Sequence, residues 1–237
     1  MRGARVLAVV GGDGSVSHAA RGLVETNSKT PLAIFSAGTG NDFAKSIGAP
    51  VHDVPAMVAR IAQRHTRAVD VGYVDDVPFV NAAGFGFDVE VLERMRTPGL
   101  LRGTAAYVNT ALGALIGYRG FRARLRDDAE REQLMLVFAN GRYFGGAFHI
   151  APAASLDNGL LDVVSIGNAS PFRRLALFAK VFKGTHLAER EVLHHRVERY
   201  RVSFEAPPAF EADGELHRAR RAQVEVSVRP GALQVVV

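Results

Sequence analysis

Three short stretches of this sequence place residues that do chemistry at spacings that matter: "GGDGS" (Gly11 to Ser15), "GTGND" (Gly38 to Asp42) and "EADGE" (Glu211 to Glu215). Phosphate groups need backbone N–H donors that can approach closely, and glycines ahead of a helix start provide them. Gly11, Gly12 and Gly14 suit that purpose, and a plain glycine turn is the other reading of the stretch. The second glycine stretch strengthens the first. Asp13 is the odd member, since a carboxylate repels phosphate unless a cation lies between them. A Mg²⁺-nucleotide removes the contradiction, and an Asx turn is the alternative use of the same side chain. Asp213 and Glu215 stand two apart around Gly214. In a plain strand both carboxylates would share a face, where one could take a proton from a hydroxyl while the other orients it or touches metal. An Asp-Gly hairpin turn in solvent accounts for the same letters. Neither G-x-x-x-x-G-K-[ST] nor G-x-G-x-x-G occurs, which removes the main support for P-loop and dinucleotide Rossmann sites.

The elements that must position these residues follow from periodicity. Val6 to Val10 is an apolar run ending at Gly-Gly, as in a strand of a parallel sheet buried on both faces. Ser15 offers an N-cap hydroxyl, and Val16, Ala19, Ala20, Leu23 and Val24 recur at helical spacing. Pro31 to Ala37 reads as a second strand; Thr39 or Asn41 can then cap a helix that stops at Gly48 and Pro50. Alternating strands and helices imply parallel strands with both glycine loops on one sheet edge, facing one crevice. A further helix is expected over Val54 to Gln63. Beyond it the pattern becomes β-rich: a hairpin at Asp75-Asp76, then strand-like runs separated by Gly, Pro and Asn, with one buried helix over Thr104 to Tyr118. This predicts α/β plus β: a partial open parallel α/β nucleotide-binding domain over 1–68, and an antiparallel β-sandwich domain over 69–237.

Composition narrows the function classes. The 237 residues, 48% hydrophobic and 22% charged, read as an ordinary globular chain. With no cysteine, disulfides, thiolate metal sites and cysteine nucleophiles are excluded. No stretch reaches membrane-spanning length, and no signal-peptide pattern is visible. The net charge of +5 comes mostly from scattered arginines, without the compact basic run and interleaved aromatics of a nucleic-acid binder. "GALIGYRGFRARLR" could touch anionic headgroups through Arg119, Arg122, Arg124 and Arg126, or be a solvated element end. His194 and His195, adjacent on a strand-like run, point to opposite faces and suggest surface or core histidines rather than metal ligands.

Five ordered segments, "VVGGDGSVSHAARGL", "PLAIFSAGTGNDFAKSIGAP", "NAAGFGFDVEV", "ANGRYFGGAFHIAPAASLDNGLLDVV" and "FEADGELHRARRAQVEVSVRPGAL", give a chain that resembles the diacylglycerol kinase catalytic-domain family. That family includes bacterial lipid kinases, resembles sphingosine kinases and is more distantly similar to NAD kinases. The resemblance spans essentially the whole chain. It implies an ATP-dependent lipid kinase with its site between an ATP-holding α/β domain and a lipid-holding β-sandwich. Gly11, Gly12, Asp13, Gly14, Ser15, Val16 and Ser17 would be the ATP phosphate cradle. Thr39 would be a further ATP contact, with Asn41 and Asp42 beside it. Asp213 matches the general base and Glu215 the supporting acid. Ser155, Asn158 and Leu160, with Asp157 adjacent, match a loop that binds a structural Mg²⁺; Asn158 stands where an aspartate is usual, and Ser15 where a threonine is usual. Family members carry another strand, turn and helix ahead of the glycine loop, whereas ten residues precede it here. The expectation is an N-terminally shortened member whose Val6 to Val10 strand becomes an exposed apolar edge. The implied partners are Mg²⁺, ATP and a lipid alcohol such as diacylglycerol, phosphatidylglycerol or a sphingoid base. The implied location is cytoplasmic, peripheral at an anionic membrane face, with a homodimer compatible and no nucleic acid. A catalytically impaired remnant and an NAD kinase are the alternatives.

Overall fold

The computed structural model describes residues 4–95, 103–125, 130–146 and 148–237. The first apolar run forms β1 (Leu7–Gly11), followed by α1 (Asp13–Glu25), β2 (Leu32–Ser36), α2 (Asp42–Ser46) and α3 (Val54–Gln63). β1 and β2 are parallel, with Leu7 opposite Leu32. α1 buries Val16, Ala20 and Leu23, three positions of the expected helical stripe. α3 occupies the expected residues, and the Asp53 carboxylate accepts the Ala56 N–H at 2.9 Å. β1 departs from the doubly buried reading. Among the described residues it pairs only with β2, and Val10 is 73% exposed, so it lies at the edge of the described sheet.

The β-rich part contains β3 (Thr66–Val74), β4 (Val77–Phe79), β5 (Ala82–Gly86), α4 (Phe87–Met95), α5 (Gly103–Gly117), β6 (Phe121–Leu125), β7 (Arg131–Ala139) and β8 (Leu161–Gly167). It continues with α6 (Pro171–Lys183), β9 (Val192–Val197), β10 (Arg199–Phe204), β11 (Ala209–Ala212), β12 (Glu215–Arg218) and β13 (Gln223–Val236). The β3–β4 hairpin turns at Asp75-Asp76 as expected, with Val74 opposite Val77. Most strand pairs here are antiparallel, which is the sandwich-like half of a mixed sheet-and-helix fold. Sequence periodicity missed α6, although Pro171 starts it and Gly184, at φ +71°, stops it.

β13 unites the two halves. Val224 to Ser227 pair with β10; after a bulge between Arg229 and Leu233, the strand continues along β3, and Val235 lies parallel to Leu32 of β2. Leu233 and Val235 thereby pack with Val16, Ile34 and Met57 in the first core. A second core gathers Phe79, Phe85, Phe138 and Phe210 between strands. A third packs α4, α5 and α6 over β7 and β8 through Val91, Leu115 and Leu177.

Candidate functional site

The two glycine loops touch through backbone. A Cβ on Gly38 would stand 2.4 Å from the Gly12 Cα, so only glycine lets the loops close to this distance. Asn41 holds the second loop: its Nδ2 donates to the Gly38 carbonyl at 2.6 Å, and its Oδ1 accepts the Gly38 N–H at 3.2 Å. α1 begins at Asp13 with Gly12 at the N-cap. Ser15 is therefore inside the first turn rather than the cap, because the N-cap is Gly12, three residues earlier than the hydroxyl rule implies. The N–H groups at the start of the first turn have no intrahelical acceptor, and of this turn Asp13 lines the crevice. Asn41 stands at the N-cap of the next helix as expected, but the side chain that caps it is that of Asp13, whose Oδ1 accepts from Asp42 N at 2.6 Å and Phe43 N at 3.4 Å.

Asp42 is buried under this cap. Burial and the nearby Asp13 carboxylate push its pKa up to about 6, against the Gly146 N–H at 2.7 Å and the Lys45 ammonium. Its Oδ1 accepts no hydrogen bond and lies 3.8 Å from Lys45 Nζ. Lys45 also donates to the Gly146 carbonyl at 3.0 Å, tying α2 to the loop after β7.

On the opposite wall, Asp213 and Gly214 form the two-residue turn between β11 and β12, both at positive φ (52° and 86°), as a type I′ hairpin turn requires. The plain-strand geometry is thus replaced by a turn, but one whose carboxylate points inward. Asp213 Oδ1 accepts from Asn81 N at 2.8 Å and Ala82 N at 3.2 Å; Oδ2 accepts from Val80 N at 2.8 Å and Ser17 Oγ at 3.1 Å. Burial raises the Asp213 pKa, and these donors act against the rise. Because the turn flips the strand's facing, Glu215 leaves this cluster. It pairs with His18 Nδ1 at 3.0 Å and Arg21 NH1 at 3.3 Å on α1.

The carboxylate that does share Asp213's face is Glu211, two residues earlier in β11. It is 1% exposed, and its Oε2 accepts the Gly214 N–H at 2.8 Å. Among the described residues, its Oε1 and both oxygens of the fully buried Asp88 find no hydrogen-bond partner. Both carboxyls face the space over Gly84, where a Cβ would meet Asp88 Oδ2 at 1.7 Å and Glu211 Oε1 at 3.4 Å. Burial pushes Asp88 up to about 7 and Glu211 well above the usual carboxylate range, Glu211 also feeling the charge of Asp88.

Between these walls lies a cavity of about 310 Å³. Asp13, Thr39, Gly40 and Asp42 line one side, Glu211, Asp213 and Gly214 the other, and Leu92, Met95 and Phe144 form an apolar flank. Of the residues singled out from sequence, Asp13, Thr39, Asp42 and Asp213 meet here, and Ser17 reaches it through Asp213. Val16 is 3% exposed and packs in the core instead. Ser155, Asp157, Asn158 and Leu160 do not line this cavity. In their loop Ser155 Oγ donates to Asp157 Oδ1 at 2.7 Å and Asn158 Oδ1 accepts the Leu160 N–H at 2.9 Å. Asp70, unremarked in the sequence, ties that loop to β13 by accepting from Gly159 N at 2.7 Å and Gly231 N at 2.9 Å. His194 pairs with Asp162 at 2.6 Å. Arg126 lies outside the described residues.

Among the described residues, no three His, Asp or Glu side chains are grouped to hold a metal by themselves. Asp13 and Asp42, with phosphate oxygens completing the shell, fit the way Mg²⁺ is held with a nucleotide, through one or two carboxylates. The sequence profile described as "Diacylglycerol kinase catalytic domain" matches residues 1–74, and "YegS C-terminal NAD kinase beta sandwich-like domain" matches 81–237. The chain belongs to the diacylglycerol kinase family. It is 33% identical to a diacylglycerol kinase of Mycobacterium tuberculosis over 99% of this chain and 77% of that protein. It is 30% identical to a probable YegS-like lipid kinase of Pseudomonas aeruginosa over 98% and 76%. In fold it is similar to a putative diacylglycerol kinase of Bacillus anthracis, with a TM-score of 0.76 at 22% identity, covering 98% of this chain and 77% of that one. Sequence reasoning passed over Glu211 and Asn81, which line this family member's crevice, and Asp88 and Lys45, which stand behind it against Glu211 and Asp42. Only Glu211 had a signal, its strand spacing to Asp213.

Proposed function

We propose that this chain transfers the γ-phosphate of Mg-ATP to the hydroxyl of a lipid alcohol such as diacylglycerol, phosphatidylglycerol or a sphingoid base, at the cytoplasmic face of a membrane. The observation that carries the reading is Asp213, an inward carboxylate fixed by four donors across one cavity from the glycine loops. In phosphoryl transfer the protein mainly positions reactants and offsets charge. The first-turn N–H groups of α1, with Thr39, would hold phosphate oxygens; Asp13 and Asp42 would hold Mg²⁺, which would supply positive charge against the phosphates. Asp213 accepts the proton of the attacking hydroxyl, a role its raised pKa suits. Glu215 supports the reaction by fastening the hairpin to α1 rather than by touching the reacting atoms. Leu92, Met95 and Phe144 give the acceptor's apolar part a wall.

The test is transfer of labelled γ-phosphate from Mg-ATP to a panel of lipid alcohols and to NAD, beside Asp213→Asn. Transfer to a lipid, falling by about two to four orders of magnitude in the variant, is the expected result. Phosphorylation of NAD alone would overturn the lipid reading. Nucleotide binding without transfer would identify a remnant, and an unaffected variant would remove Asp213 as the base.

A further inference from the structure

α6 carries apolar side chains on two sides. Inward, Leu177 and Val181 are buried in the core over α5. Outward, at about 100° per residue, Phe172, Leu175, Ala176, Ala179 and Phe182 share one face. Phe172 is 90% exposed, Leu175 52% and Phe182 49%. A helix with apolar residues on both sides belongs in an apolar medium on both sides. Its flank is pinned, so this face cannot roll inward: Arg173 bridges Glu189 and Glu191 at 2.5 and 2.6 Å, and Lys180 also pairs with Glu189.

The charges around the face are mixed with a basic excess: Glu189 and Glu191 are taken up by Arg173, Lys180 and Arg190, and Glu132 accepts from Asn168 Nδ2 at 3.2 Å. Lys183 stands on the outward side of the last turn, and the Arg190 side chain is 86% exposed. Arg119 is held near the start of the helix, its carbonyl accepting from Asn168 Nδ2 at 3.1 Å. Beneath α6, Leu177, Phe178 and Val181 line a small apolar cavity that Phe144 also lines, and Phe144 belongs to the catalytic cavity as well. Phe144 thus stands between the cavity beneath α6 and the crevice.

We infer that the outward face of α6 docks on an anionic lipid bilayer, with Phe172, Leu175 and Phe182 entering the interface and Lys183 and Arg190 against the headgroups. A second copy is the poorer occupant, since a two-fold contact would bring the same cations of both copies together. The choice of a lipid surface rests partly on the lipid-kinase reading, but its test involves no phosphoryl transfer. Failure of the transfer assay with vesicle binding intact would therefore strike the activity and leave the surface standing.

The full chain should sediment with vesicles of phosphatidylcholine and phosphatidylglycerol, more weakly as salt rises, and poorly with phosphatidylcholine alone. Phe172→Ser with Leu175→Ser should lose at least tenfold in partitioning at an unchanged melting temperature, whereas Phe182, whose ring lies 5.9 Å from that of the buried Phe148, is left in place. Because the chain has no tryptophan, Phe172→Trp gives a single reporter whose emission should shift blue on adding anionic vesicles. Wild-type vesicle binding by the serine variant, or an unmoved tryptophan spectrum, would overturn the inference. So would a dimer, seen by light scattering, that the serine pair dissolves while the wild type ignores vesicles.

Discussion

Asp88 holds its proton in the folded chain at pH values where an unfolded aspartate, with a pKa of about 3.9, has lost it. With its pKa pushed up to about 7, the folded state binds more protons than the unfolded one between about pH 4 and 7. Stability therefore falls as pH rises through that window, and Glu211, also raised, acts in the same direction. Asp88→Asn keeps the shape without the ionisation and is expected to flatten the slope. Thermal melts of both proteins from pH 4.5 to 7.5 would read it; parallel slopes would remove Asp88 as the cause. This acid pair was not legible in the sequence, because Asp88 begins a helix whereas Glu211 lies in a distant strand. Asp213 was legible as a candidate acid. That Glu211 rather than Glu215 stands beside it was not, since "ADGE" does not announce that the turn at Asp213-Gly214 breaks strand periodicity before Glu215.

At the scale of elements, α1 does two things: it opens at the glycine loop, and Ser17, His18 and Arg21 fasten the hairpin carrying Asp213. Glu215→Gln weakens that fastening at a partly exposed ion pair, so its effect on stability should be small, within about 1 kcal/mol. Turnover should drop more than stability does; equal loss in an Asp213→Asn background would show that Glu215 acts elsewhere. Gly38→Ala pushes the two glycine loops apart at the Gly12 contact and should raise the KM for ATP, with less change in lipid KM. An unchanged ATP KM would mean that the loops do not cradle the nucleotide. The strand–loop–helix order of this region could be read because each apolar run ends at a glycine. α6 escaped the same reading because its apolar residues lie on both sides, which blurs the one-sided stripe on which helix recognition depends.

For the whole molecule, β13 decides cooperativity. Its first part pairs with β10 and its last with β2 and β3, so neither half can lose it alone. Calorimetry should show one unfolding transition, with calorimetric and van't Hoff enthalpies in agreement; two resolved transitions would contradict the shared strand. Sequence showed that Gln223 to Val237 is strand-like. It could not show that the strand crosses from one half to the other, because pairing between distant segments leaves no local periodicity.

That crossing also bears on how the protein is made. Chains emerge from the ribosome N-terminus first, and domains commonly fold in that order. Here Leu32 awaits Val235 as its neighbour in the sheet, so the glycine-loop half, although translated early, stays one strand short until almost all of the described chain has emerged. In the interval its open strand edge is a surface for chaperones to shield, and slow translation of the codons for β13 would prolong that exposure.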